Sequence, residues 1–365
     1  MKLKRIVGLG FLALSLTLVA CGSKDDNKQE SKAPVEEKAA EDVKKSDDDT
    51  IIVYSNAVSD GRGDYFKEKA KEAGFNIEFV DLGGTDLFNR LVAEKNAPIA
   101  DVVFGLNEMN FKKLADHNLF EAYKPNWLDK VDEQVKINEE GLYSPMDIAR
   151  VFPIYNKKFV KEEEIPKDWS DFYNDEKYKG LYRVQNGLGG ATDTAAMYIH
   201  LINYRDDSKE MGLKDEAWDV MKKWIDNGYQ TPEGEDWIQN FVDGKVPYTY
   251  TWMAKPAEIE KEYGVDIGII NPESGAIQTV EQIGIVKDGE DNKKEQEFID
   301  WIGSTEIMKG FAENHNQMPV NKEAQDSAPE GLKKVMRETK PADIDFDFVG
   351  KYLDEWVEYV ELNIL

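Results

Sequence analysis

Between Ile51 and Asp116 the chain alternates short β-rich apolar runs with stretches of helical periodicity, and does so three times. Ile51-Ile52-Val53-Tyr54 closes on Ser55-Asn56, and a helical pattern follows over 63–73. Asn76–Val80 closes on Gly83-Gly84-Thr85 ahead of an amphipathic stretch over 86–95. Ala100–Gly105 leads into a third helical stretch over 107–116. Parallel strands need a crossover connection, usually a helix, so this order predicts an α/β fold with a parallel sheet covered by helices. In such sheets ligands lie outside the carboxyl ends of the strands. Those ends supply the first candidate contacts: Ser55, Asn56, Gly84, Thr85 and Asn107.

Residues 143–156 read as a long, mostly apolar extended run, after which a second α/β pattern begins. Leu181–Val184 is a strand, Gly187–Thr194 a glycine-rich loop and Ala195–Tyr204 a helix. Glycines free backbone N–H groups and a helix N-terminus favours negative charge. Gly189, Gly190, Ala191 and Thr192 are therefore a candidate anion seat, the alternative being an ordinary capped loop. Further elements are expected over 216–227, 237–243, 246–252, 266–270, 276–286, 295–303, 306–314 and 348–362. Tyr248, Tyr250 and Trp252 alternate on one strand and share a face, where they stack on a ring, hold a cation or simply pack a core. Asp147 and Gln282 lie on the two long extended runs, with Glu281 directed away from Gln282. Arg62, within Asp60-Gly61-Arg62-Gly63, reads first as a solvated surface residue, the alternative being a bidentate contact to an anionic ligand.

Composition removes several classes. Lys and Arg number 46 and Asp and Glu 72, a formal charge of −26, which argues against nucleic acid as a partner. The three histidines, His117, His200 and His315, show no metal-ligand spacing, and a single cysteine allows neither an internal disulfide nor a thiolate cluster. No GxSxG, P-loop or recognised triad signature is present, and no cofactor or metal is expected. Two carboxylates alone suffice for a glycosidase, so a surface hydrolase stands as the competing class.

The chain opens with Lys2, Lys4 and Arg5, then an apolar stretch from Ile6 to Val19 that is short for a membrane span. It continues Leu18-Val19-Ala20-Cys21-Gly22, which resembles a bacterial lipobox. The expectation is a signal peptide over 1–20 and acylation of the Cys21 thiol, each buried CH₂ contributing roughly 0.8 kcal/mol of membrane attachment. Loss of those three cations takes the net charge from −26 to −29. Residues 22–50 contain no aromatic residue and read as a solvated tether with a coil span of roughly 30 Å.

Four stretches carry a resemblance that covers essentially all of 51–365. They are Ile52–Ser55; Leu87–Leu91 through Ala100–Leu106; Asp243–Tyr250; and Ile283–Lys287 with the helix over 297–304. In order and spacing they resemble the solute-binding proteins of ABC importers, in the branch that takes ferric iron, thiamine, phosphonates and sugar phosphates. The resemblance implies a two-lobed periplasmic-binding-protein-like fold of type II, with hinge segments at 143–153 and 276–286. The lobes would be 51–147 plus about 278–325, and 148–277 plus about 326–365. It further implies a non-enzymatic, monomeric, lipid-anchored protein at the outer face of the cell membrane. Its partners would be a small solute and the transmembrane permease subunits. The favoured solute is a small anionic or phosphorylated compound, or a thiamine-like one. Ferric iron is the alternative, although no adjacent tyrosine pair occurs.

Overall fold

A computed structural model describes residues 49–288 and 292–365; the signal-peptide, Cys21 and most of the tether expectations lie outside them. Strand β1 (Thr50–Ser55) is flanked on both sides by parallel partners, β2 (Asn76–Asp81) and β3 (Val102–Asn107). Helices α1 (Arg62–Glu72) and α2 (Gly84–Glu94) make the connections, and α3 (Glu108–Asp116) follows β3. Phe66 of α1 packs in one core, whereas Leu87 and Leu91 of α2 and Phe111 and Leu114 of α3 pack in another. The parallel strands are thus covered on both faces, which explains why β1 and β3 are apolar without alternation.

The sheet does not remain parallel. Its order is β2-β1-β3-β10-β5-β8, and the last three strands are β10 (Ile277–Val286), β5 (Ser144–Asn156) and β8 (Tyr248–Trp252). All neighbours beyond β3 are antiparallel. Two short strands, β4 (Phe120–Glu121) and β9 (Ile267–Ile269), pair with β10 and β5. A separate pair, β6 (Arg183–Val184) and β7 (Tyr229–Gln230), is parallel. The antiparallel part follows from the two long extended runs: β5 leaves the first α/β pattern and β10 returns to it.

Arg150 locks these two strands together. It is fully buried, its Nε donates to Gln278 Oε1 at 2.9 Å, and Nη1 and Nη2 donate to the Thr339 carbonyl and Gln134 Oε1. Burial depresses the guanidinium to about 10, so it stays charged near neutrality. A further core gathers Trp224, Trp356, Tyr182, Tyr198 and Phe348 around the Ala191–Leu201, Glu216–Asn227 and Phe346–Asn363 helices. The first of those helices starts at Ala191, four residues earlier than the sequence pattern suggests, because Ala191–Thr194 form its first turn rather than loop. Among the described residues no helix is long and apolar enough to cross a membrane.

Candidate functional site

Among the described residues, two large cavities flank the crossing strands. The alternation of β10 separates them: Gln278, Val280 and Gln282 line one, and Glu281 lines the other.

The Glu281 cavity, of ≈ 490 Å³, takes its walls from Glu281 itself, from Glu258 in the Lys255–Tyr263 helix and from four further places. Asp60 and Arg62 come from the turn after β1, Ile148 and Ala149 from β5, Trp252 and Met253 from the end of β8, and Asn314–Met318 from a helix terminus. The turn is built by Asp60 and Gly61, both with left-handed backbone (φ 55° and 80°). Gly63 then approaches Val58 so closely that a Cβ there would stand 3.1 Å from the Val58 carbonyl oxygen. On the far wall Asn316 ends the Thr305–His315 helix in the left-handed conformation, and Ile148 N–H donates to the Met318 carbonyl at 2.8 Å. These turns hold Arg62 and His315 in one neighbourhood with β5 and β10.

Asp147 and Glu281 stand opposite each other in the β5–β10 register. Burial, and then the neighbouring Glu281 carboxylate, push the Asp147 carboxyl well above the ordinary range, with Arg62 opposing. Burial pushes Glu281 up to about 7, again opposed by Arg62. His315 is lowered by burial and by Arg62. The Arg62 guanidinium itself donates from Nε to the Ser59 carbonyl and from Nη2 to Ser59 Oγ, at 3.0 and 2.9 Å.

The second cavity, of ≈ 790 Å³, is lined by Glu108 and Lys112 of α3, the 134–139 segment, β10 and Pro341–Asp347. Burial raises Glu108 to about 7, although its Oε2 accepts from the Val280 N–H at 2.9 Å.

The residues singled out from sequence distribute as follows. Trp252 faces the Glu281 cavity and is 41% exposed. Asp147 lies beside Glu281, while Gln282 lines the opposite cavity, buried, with its amide on the Val280 carbonyl. Ser55 is buried and its Oγ accepts from the Ala57 N–H. Asn56 sits close to Gly84, and its buried Oδ1 has no hydrogen-bond partner. Thr85 is exposed in the first turn of α2. Asn107 caps α3 by accepting from the Asn110 N–H at 3.1 Å. Gly189, Gly190 and Ala191 are exposed and Thr192 half-buried at the start of their helix. Tyr248 and Tyr250 share the buried side of β8 in the aromatic core, their hydroxyls donating to the Glu164 carbonyl and to Asp193.

From sequence Gln282 is preferred to Glu281 and Arg62 ranks first as a surface residue, while Glu258 and the 314–318 segment draw no notice. Strand alternation held a partial signal for Glu281. The 314–318 segment carried none, because only the fold brings it to β5.

The profile of a family described as bacterial extracellular solute-binding protein matches residues 64–335. A Sinorhizobium fredii protein named as a probable ABC transporter periplasmic-binding protein is 28% identical over 316 residues, 87% of each chain. Among solved structures, an iron- and citrate-bound Trichodesmium protein (IdiA, FutA) superposes with a TM-score of 0.67 at 18% identity. That match covers 86% of this chain and 98% of the other. A Clostridium perfringens ABC transporter structure gives 0.68 at 19%, covering 86% and 100%. At these identities the structural matches speak for the fold, the two-lobed type II periplasmic-binding-protein architecture.

Proposed function

Because the chain belongs to the bacterial extracellular solute-binding protein family, we propose that it is the lipid-anchored capture component of an ABC importer. In this reading Cys21 carries the acyl chains, residues 22–50 span the gap to the membrane, and the body delivers its solute to the permease subunits. The lobes are 51–147 with about 278–325, and 148–277 with about 326–365. They close by bending where β5 and β10 cross between them.

The observation that carries this reading is the ≈ 490 Å³ cavity, whose walls come from the β1 turn, both crossing strands and the end of β8. That is the size of a small-molecule site, and it draws on both sides of the proposed hinge. Asn56, Gly84, Thr85 and Asn107 at one set of strand ends, and Gly189–Thr192 with Trp252 on the other side, are the proposed closing contacts. The protein performs no chemistry on the solute: it binds, closes and releases.

X-ray scattering tests this. Protein carrying the solute retained from cells should show a smaller radius of gyration than protein stripped by partial unfolding and refolding. Conversion of that solute into a product during incubation would contradict the reading.

A further inference from the structure

Glu281 lines the cavity, and the buried Asp147 beside it sets an electrostatic problem behind that wall. Asp147 and Glu281 are direct cross-strand partners, which places their Cβ atoms about 4.5–5.5 Å apart. Asp147 is 2% exposed, and neither of its carboxylate oxygens has a hydrogen-bond partner. Oε2 of Glu281 is likewise buried and unpartnered. Buried carboxylates are ordinarily paired with a cation or fully hydrogen-bonded, and like charges directly opposite on a sheet are unfavourable. Arg62 is the cation whose field reaches both, yet it bonds to Ser59 and leaves Asp147 unbonded. The remaining charged or titratable lining is Asp60, Glu258 and His315, so carboxylates outnumber cations around the space.

We propose that the Asp147–Glu281 pair is the seat of a positively charged group on the captured solute, and that Trp252 receives the planar or apolar part of the same molecule. The solute is therefore an organic cation; this rests on the solute-capture reading above. Trp252 pairs with Val151, four residues along β5 from Asp147. At about 3.3 Å per residue the two contacts lie roughly 13 Å apart along the strand, the length of a small heterocyclic or polyamine-sized molecule. The indole already accepts a cation, with Lys255 Nζ 5.6 Å from the ring centroid, and its exposure leaves surface for another. An inorganic ion is the poorer occupant: among the described residues no three His, Cys, Asp or Glu side chains converge as a metal site.

The test is calorimetric and thermal-shift titration of the stripped protein with thiamine, choline and spermidine, against Mg²⁺ and glucose 6-phosphate. Wild type, Asp147→Asn and Glu281→Gln are compared at pH 6 and pH 8. At least one organic cation should bind, more tightly at pH 8 than at pH 6 because the pair must shed its proton to receive it. Each variant should weaken that binding at least tenfold. Both are isosteric and remove a buried charge, so their melting temperatures without probe should equal or exceed wild type. Failure of all three organic cations, binding that neither variant changes, or selective use of the pair by Mg²⁺ would each overturn the proposal. Capture of glucose 6-phosphate instead would overturn the cation seat while leaving the importer reading in place.

Discussion

The Glu108 carboxylate on α3 accepts a 2.9 Å hydrogen bond from the Val280 N–H on β10, so the helix that follows β3 is tied to the second crossing strand by a half-buried acid. Burial places this carboxyl at about 7 in the folded protein, above its ordinary 4.5. A raised folded value means that its stabilising contribution is complete below 4.5 and is lost as pH rises through 7. That interval corresponds to about 3 kcal/mol. Glu108→Gln keeps an acceptor for Val280 and should gain stability relative to wild type between pH 5 and pH 8 by up to that amount. Urea unfolding of both proteins at the two pH values reads this difference directly.

His200 behaves in the opposite sense. It is buried 4.3 Å from the Trp224 ring, its Nε2 has no partner, and burial lowers it to about 3. A folded value below the unfolded 6.5 gives stability that is present above 6.5 and drains away as pH falls toward 3. Substitution His200→Gln, which cannot take up a proton, should shift the acid-unfolding midpoint to lower pH. An unchanged midpoint by circular dichroism would contradict this account of the core.

Gly105, within β3, has φ 106°. A Cβ there would meet Ala57 Cβ at 2.5 Å and Asn56 Oδ1 at 2.8 Å. Gly105→Ala therefore strains the backbone and displaces the turn after β1. The expected loss is about 1–3 kcal/mol of stability, with weaker solute capture because Arg62 follows on that turn. Calorimetric melting and solute titration of the variant check both effects.

Cys21→Ala removes the thiol that the proposed anchor requires. The body should then appear in the soluble fraction, or as an unprocessed precursor, while its solute affinity is unchanged. Normal cleavage together with unaltered membrane retention would contradict the anchor.

The alternation from β1 to α3 was legible because each element carries its own local signature, and strand and helix ends agree with the pattern within a few residues. The antiparallel half was not, since the β3–β10 and β5–β10 pairings are non-local. Strand period places Gln282 and Glu281 on opposite sides but cannot say which side faces the Arg62 cavity, and the register shifts between these two residues. The same logic places Tyr248, Tyr250 and Trp252 on one face, yet only Trp252, at the open end of β8, escapes the core. His315 and its neighbours reach the site through the loop that runs back beside β5, a placement no local pattern encodes.

In the proposed function, one small solute is held without covalent change in the cavity lined by Arg62, Trp252 and Glu281. Native mass spectrometry of the mature protein purified from its own cells tests it most directly, alongside the Trp252→Ala and Glu281→Gln variants. Wild type should carry a single mass increment, released intact on collisional activation and much reduced in both variants. An increment equally present in both variants, or one that is covalent, would contradict it.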